Sequence, residues 1–171
     1  MSNIQFARNL EIWPGLRASV PMIVAQSNTA STTGDAETIN VTGASVTIPK
    51  GFFSPGTAFR FTLFGSRTGT AGAATILLDL GGTTIATIAI PTNTAVDWMA
   101  VLTVTEHTDF KHQNVSEFVA TSATVLSAYD TATGTVDVSN DITLKAQITL
   151  ANASDSVTCN YVLVECWKVD E

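Results

Sequence analysis

Apolar and polar residues alternate with a period of two along most of this chain. The clearest run is Ile142–Leu150, where every even position is apolar and every odd one polar, as in a strand with one face in a core. Ala58–Leu63 alternates in the same way and directs Phe59, Phe61 and Leu63 inward. Further strand-like runs cover Ile39–Ile48, Ala74–Leu80, Thr84–Ile90, Val96–Glu106, Val115–Leu126 and Val157–Val169. Turn residues punctuate them at Pro49-Lys50-Gly51, Ser54-Pro55-Gly56, Gly65 to Gly72, Ser139-Asn140-Asp141 and Asn152-Ala153-Ser154-Asp155. Gly81-Gly82, between two apolar runs, predicts a tight hairpin, because only glycine reaches positive φ freely. No segment sustains a helical period for three turns. About seven or eight strands with frequent turns predict an all-β domain, a sandwich or a barrel.

Two segments depart from clean alternation. Trp98–Leu102 and Tyr161–Val164 are apolar at both parities, whereas a strand on the outside of a sandwich should show water one face. One apolar parity is therefore expected against another subunit, with Trp98, Val101, Val162 and Val164 as candidate interface residues. The N-terminal stretch is different again. Residues 1–36 read as an arm and linker, and residues 37–171 as the sandwich domain. Within the arm, Ile4, Phe6, Leu10, Ile12, Trp13 and Leu16 are apolar anchors without a sustained period, and Pro14 and Pro21 break any long helix. Ser27 to Asp35 is polar and small, as in a long loop.

Of the 171 residues, 45% are hydrophobic and 13% charged, so Thr, Ser and Asn supply much of the polarity. Such residues suit strands and turns, and a surface with few ions can meet another protein without desolvating many of them. The net charge is −7, from eight scattered Lys and Arg against fifteen Asp and Glu. Nucleic-acid binding is not expected from that balance. The start carries no basic cap followed by an apolar run, and no stretch of about 20 apolar residues could cross a bilayer. The expectation is a soluble protein made in the cytoplasm, with no membrane partner. The two cysteines, Cys159 and Cys166, share one predicted strand. At about 3.3 Å per residue they stand roughly 23 Å apart, beyond disulfide reach, and their odd separation puts them on opposite faces. They read as buried free thiols.

Candidate chemistry is sparse. Glu106, His107, Asp109 and His112 could ligate a metal, but they straddle a strand end and a loop, and the reading preferred is a solvated connection. Asp137, Asn140 and Asp141 could offer oxygens to calcium, yet Asn140-Asp141 reads more simply as a turn. There is no nucleophile elbow, phosphate loop or zinc pair of cysteines, so no catalytic residue, metal or cofactor is assigned. Trp98 and Trp167 lie within strand runs and read as packing residues. Tyr129, beside Asp130 in a Thr- and Gly-bearing segment, is a candidate sugar-stacking residue.

Four segments carry a resemblance. They are the Gly/Thr-rich Phe59–Ala74 stretch, the Leu77-Leu78-Asp79-Leu80-Gly81-Gly82-Thr83-Thr84-Ile85-Ala86 hairpin, the Trp98–Glu106 strand, and the ending from Leu150 through Cys159 to Glu165. Together, over residues 37 to 169, they resemble the jelly-roll domains of tailed-bacteriophage virion proteins: head-decoration or cement proteins, spikes and fibre tips. The resemblance implies a jelly-roll-like antiparallel β-sandwich and a homotrimer without catalytic residues. It further implies a place on the capsid exterior after synthesis in the host cytoplasm. No coiled coil, collagen-like repeat or shaft repeat is present, which favours decoration over a fibre. On that reading the major capsid protein is the partner, and Ile4, Phe6, Leu10, Ile12, Trp13 and Leu16 dock on it. The alternative is a receptor- or glycan-binding tip with Tyr129 and Asp130 as contacts.

Overall fold

Alternation becomes two stacked sheets because each strand has one apolar face to bury. The computed structural model describes residues 21–34, 36–69, 72–90, 95–106, 111–122 and 124–168. Among them run β1 (Met22–Ser27), β2 (Ser31–Thr33), β3 (Thr38–Ile48), β4 (Thr57–Thr68), β5 (Ala74–Leu80) and β6 (Thr83–Ile90). These are followed by β7 (Ala95–Glu106), β8 (Gln113–Thr121), β9 (Thr124–Gly134), β10 (Ile142–Leu150) and β11 (Ser156–Lys168). A seven-stranded sheet has the order β1-β11-β4-β7-β8-β9, with β2 also pairing β11, and a four-stranded sheet has the order β3-β10-β5-β6. Every pairing is antiparallel. The chain is an all-β, jelly-roll-like sandwich.

Inward residues of both layers make one core. Phe59, Phe61 and Leu63 of β4 meet Ile76 and Leu78 of β5 and Leu144 and Ile148 of β10, all fully buried. Each such side chain contributes roughly 1.5–3 kcal/mol by leaving water. Phe53, in the loop before β4, closes one end with its ring edge-on to Phe59 at 5.4 Å. Gly81 and Gly82 make the β5–β6 hairpin with φ of 61° and 89°, and Asp79 Oδ1 accepts the Gly82 N–H at 3.0 Å.

Three expectations need correction. Residues 22–33, assigned above to the arm and linker, form β1 and β2 on the free edge of β11. Their Ser- and Thr-rich sequence shows little alternation, but an unpaired strand edge satisfies their backbone groups, and the Thr32 and Thr158 hydroxyls bond across the pair at 2.9 Å. The run Val115–Leu126 is not one strand. The chain reverses between Thr121 and Thr124, which pair with each other, without a Gly, Pro or Asn to mark the turn. Finally, Cys159 and Cys166 lie on the same face. A β-bulge between Cys159 and Tyr161 adds one residue to β11 and shifts its parity, so both thiols are buried. They are free, as expected, and burial pushes the Cys159 thiol up to about 11.

Two buried polar clamps hold the connections between layers. Arg67, the largest fully buried side chain, lies at the end of β4. Its Nη1 donates to the Ile90 carbonyl at 2.7 Å and its Nη2 pairs with Asp155 Oδ2 at 3.2 Å. Nη2 also donates to the Gly72 carbonyl, and Asp155 Oδ2 accepts the Gly72 N–H at 2.9 Å. One ion pair thus joins β4, the end of β6 and the loops that precede β5 and β11. The second clamp is Gln113. Its Nε2 donates to Glu106 Oε2 and to the Val136 carbonyl, both at 2.9 Å, while its Oε1 accepts the Val136 N–H at 3.0 Å. Removing one member of a buried ion pair leaves the other charge stranded, at about 3–5 kcal/mol. Asp155→Ala should lose about that much in urea unfolding, and adding Arg67→Met to it should recover part of the loss.

Candidate functional site

The outer faces of the two sheets differ in chemistry. The four-stranded sheet shows Thr38, Asn40 and Thr47 of β3 beside Thr143, Lys145, Gln147 and Thr149 of β10. These satisfy one another: Thr38 and Thr149 hydroxyls bond at 2.7 Å, and Gln147 Nε2 donates to Asn40 Oδ1 at 2.9 Å. It is an ordinary wet face.

The outer face of the seven-stranded sheet is apolar over its middle. Register brings Tyr161, Phe64, Met99 and Ala120 into one row across β11, β4, β7 and β8. The next row is Leu163, Thr62, Val101 and Phe118. Phe64 is 40% exposed and Tyr161 37%, and their rings lean together at 6.1 Å. On the β1 edge Ile23, 61% exposed, stands in register with Glu165. Charge enters only at the next row, where Arg60 Nε and Nη2 donate to Glu165 Oε2 at 2.9 and 2.7 Å. The Arg60 guanidinium also lies over the Trp167 ring at 5.5 Å, so both charges are locally neutralised. This block can hold an apolar segment through area and shape.

Toward β9 the same face turns polar. Thr103, Thr105, Asn114, Ser116, Ala132 and Thr133 line a shallow depression of about 320 Å³.

The structure separates the four residues expected at a subunit interface. Trp98, Val162 and Val164 are buried in the core, at 3%, 1% and 0% exposure, and cannot touch a neighbour. Their parity faces the opposing sheet. Val101 alone of the four is outward and half-buried. Trp98 fits because its register partner is Gly65, where a Cβ would come within 2.4 Å of the indole and 2.0 Å of the Thr158 carbonyl. The outward residues that matter, Phe64, Met99, Phe118, Tyr161 and Leu163, were signalled by the two-faced apolar runs. On β11, which parity faced out depended on the bulge.

The docking candidates Ile4, Phe6, Leu10, Ile12, Trp13 and Leu16 lie outside the described residues, as do His107 and Asp109. Tyr129 and Asp130 are on β9, in register with Phe118 and Glu117. Of the metal candidates, Glu106 is inward and bonded to Gln113, while His112 is exposed. Asp137 Oδ1 accepts the Ser139 N–H at 2.9 Å, and this contact with Ser139 holds its carboxyl below the usual range. Asp141 Oδ1 accepts the Lys50 N–H at 2.7 Å. These oxygens serve turns. No group of three or more His, Cys, Asp or Glu is arranged to hold a metal among the described residues.

The chain is thus a two-layered β-sandwich with one apolar outer face. No protein family's sequence profile matches it, and no curated protein does. Among solved structures it is similar to the CBM2 module of the evolved Dit protein of Lactobacillus casei BL23 phage J-1, at 14% identity over 74% of this chain and 70% of that one, with a TM-score of 0.42. A lectin from Bauhinia forficata in complex with GalNAc is 10% identical over 88% of this chain and 100% of its own, with a TM-score of 0.44. Peanut lectin with a nine-residue peptide is 8% identical over 90% and 100%, with a TM-score of 0.42.

The two parities make opposite demands on a charge. Val164→Asp places an unpaired carboxylate in the core and should cost several kcal/mol or prevent folding. Val101→Asp, on the outer face, should cost about 1 kcal/mol. Thermal melts of the two variants check the assignment.

Proposed function

We propose that the protein is a non-enzymatic structural component of a virion, a capsid decoration protein that binds the shell and stabilises it. The apolar, nearly ion-free outer face of the seven-stranded sheet is the observation that carries this reading. It suits protein-to-protein contact, because burying it strips few charges of water. The buried Arg67, Asp155, Glu106 and Gln113 hold connections together, so the fold spends these groups on structure. The arm residues Ile4, Phe6, Leu10, Ile12, Trp13 and Leu16 are the proposed contacts to the major capsid protein. Three copies acting together, as the sequence resemblance implies, would raise the local concentration of arms without new contacts.

The test uses undecorated capsids and full-length protein. Wild-type protein should bind them and raise their melting temperature, whereas Phe6→Ser with Trp13→Ser should fold normally and bind at least ten-fold more weakly, a loss of about 1.4 kcal/mol or more. Undiminished binding by that variant would remove the arm from the reading. A truncation for the same purpose has to stop at residue 20, because Met22–Ser27 is a strand of the sheet.

A glycan-binding tip is the second reading, favoured by the hydroxyl-lined depression beside β9. Glycan-array binding that is lost on Asn114→Ala and on Tyr129→Ala would support it. Silence of the wild-type protein across the array would count against it.

A further inference from the structure

The apolar block on the seven-stranded sheet has no cover among the described residues. We infer that residues 4–16 of the same chain lie across it in the free protein. Two observations select this occupant over a second copy.

The first is where the arm joins the sandwich. β1 begins at Met22, in register with Cys166 on β11, three residues from Leu163. Leu163 is therefore about 11 Å from Met22, counting roughly 10 Å along β11 and one strand spacing of about 4.8 Å. Leu16, six residues before Met22, can reach about 20 Å, and Trp13 about 30 Å. The whole block, as far as Phe118 on β8, is within their range.

The second is size. Two rows across four strands give a footprint of roughly 300 Å², whereas a stable partner protein buries about 800 Å² on each side. The block fits a peptide segment with a few apolar anchors, and a sister subunit would need other surfaces.

If the arm also docks on a capsid, which rests on the function proposed above, the two sites compete for the same anchors. The free protein then keeps its anchors out of water until a shell takes them.

The experiment uses the full chain without capsids, so its outcome is independent of that function. A photoreactive benzophenone amino acid replaces Trp13 in one preparation and Phe6 in another. Each is irradiated as a mixture of heavy- and light-isotope protein at micromolar concentration. The expected result is adducts within single chains, mapping to Phe64, Met99, Val101, Phe118, Tyr161 or Leu163. Adding Val101→Asp should lower their yield several-fold. Adducts that join heavy to light chains would assign the face to a second copy and overturn the inference. Adducts confined to other surfaces, or none from either probe, would overturn it as well.

Discussion

Stacking two sheets through their apolar faces is strong but non-directional, and it does not decide which loop crosses where. Direction comes from the buried Arg67–Asp155 pair. Arg67 sits at an inward position near the end of β4, between the buried Val157 of β11 and Val96 of β7. Its fixed fork of donors reaches a carbonyl of one sheet, a carbonyl of the β4–β5 loop and a carboxylate of the β10–β11 loop. The glycines nearby follow from this demand. At Gly69 a Cβ would come within 2.2 Å of Asp155 Oδ1, and at Gly72 within 2.6 Å of the Asn152 side chain. Gly69 and Gly72 thus stand where loop backbone must press close to the charged pair and the turn that carries it.

The same allocation shapes the surface. Only 13% of the residues are charged, and Arg67, Asp79, Glu106, Glu117 and Asp155 are buried. The middle of one outer face is mainly hydroxyls and amides, and that of the other is aromatic and aliphatic. A protein built this way has one face content with water and one that benefits from cover. The proposed docking functions all use that difference.

Much of the fold was legible, and the failures have physical causes. The limits of Ile142–Leu150 follow from pure alternation, and Gly81-Gly82 from the conformational freedom of glycine. Strands β1 and β2 were hidden because edge pairing is satisfied by backbone groups and needs little apolar signal. The assignment of Trp98, Val162 and Val164 to an outer surface failed through parity: around Trp98 both parities are apolar and the sequence does not choose between them, while on β11 a bulge intervenes. A single extra residue near Asn160 moves every later side chain of β11 to the other face, and period counting cannot see it. The Arg67–Asp155 contact joins residues 88 apart, and nothing local in Asn152–Asp155 distinguishes a carboxylate that caps a turn from one that holds a buried arginine. Of the candidate site, the apolar excess was readable from Trp98–Leu102 and Tyr161–Val164, while the residues that face outward needed the register.

The hydroxyl-covered sheet has a consequence for the protein's surroundings. Beside the Lys145–Asp79 pair, its cross-strand contacts Thr38 with Thr149 and Asn40 with Gln147 are between neutral groups, as is the Thr32–Thr158 contact at the sandwich edge. Dissolved ions screen charges within about 10 Å at 0.1 M and leave neutral hydrogen bonds almost untouched. The Arg67–Asp155 ion pair is sealed in the interior where salt does not reach. Ionic strength therefore acts on the outer faces chiefly through the Arg60–Glu165 and Lys145–Asp79 pairs, while the hydroxyl contacts and the buried pair keep their strength from dilute medium to brine.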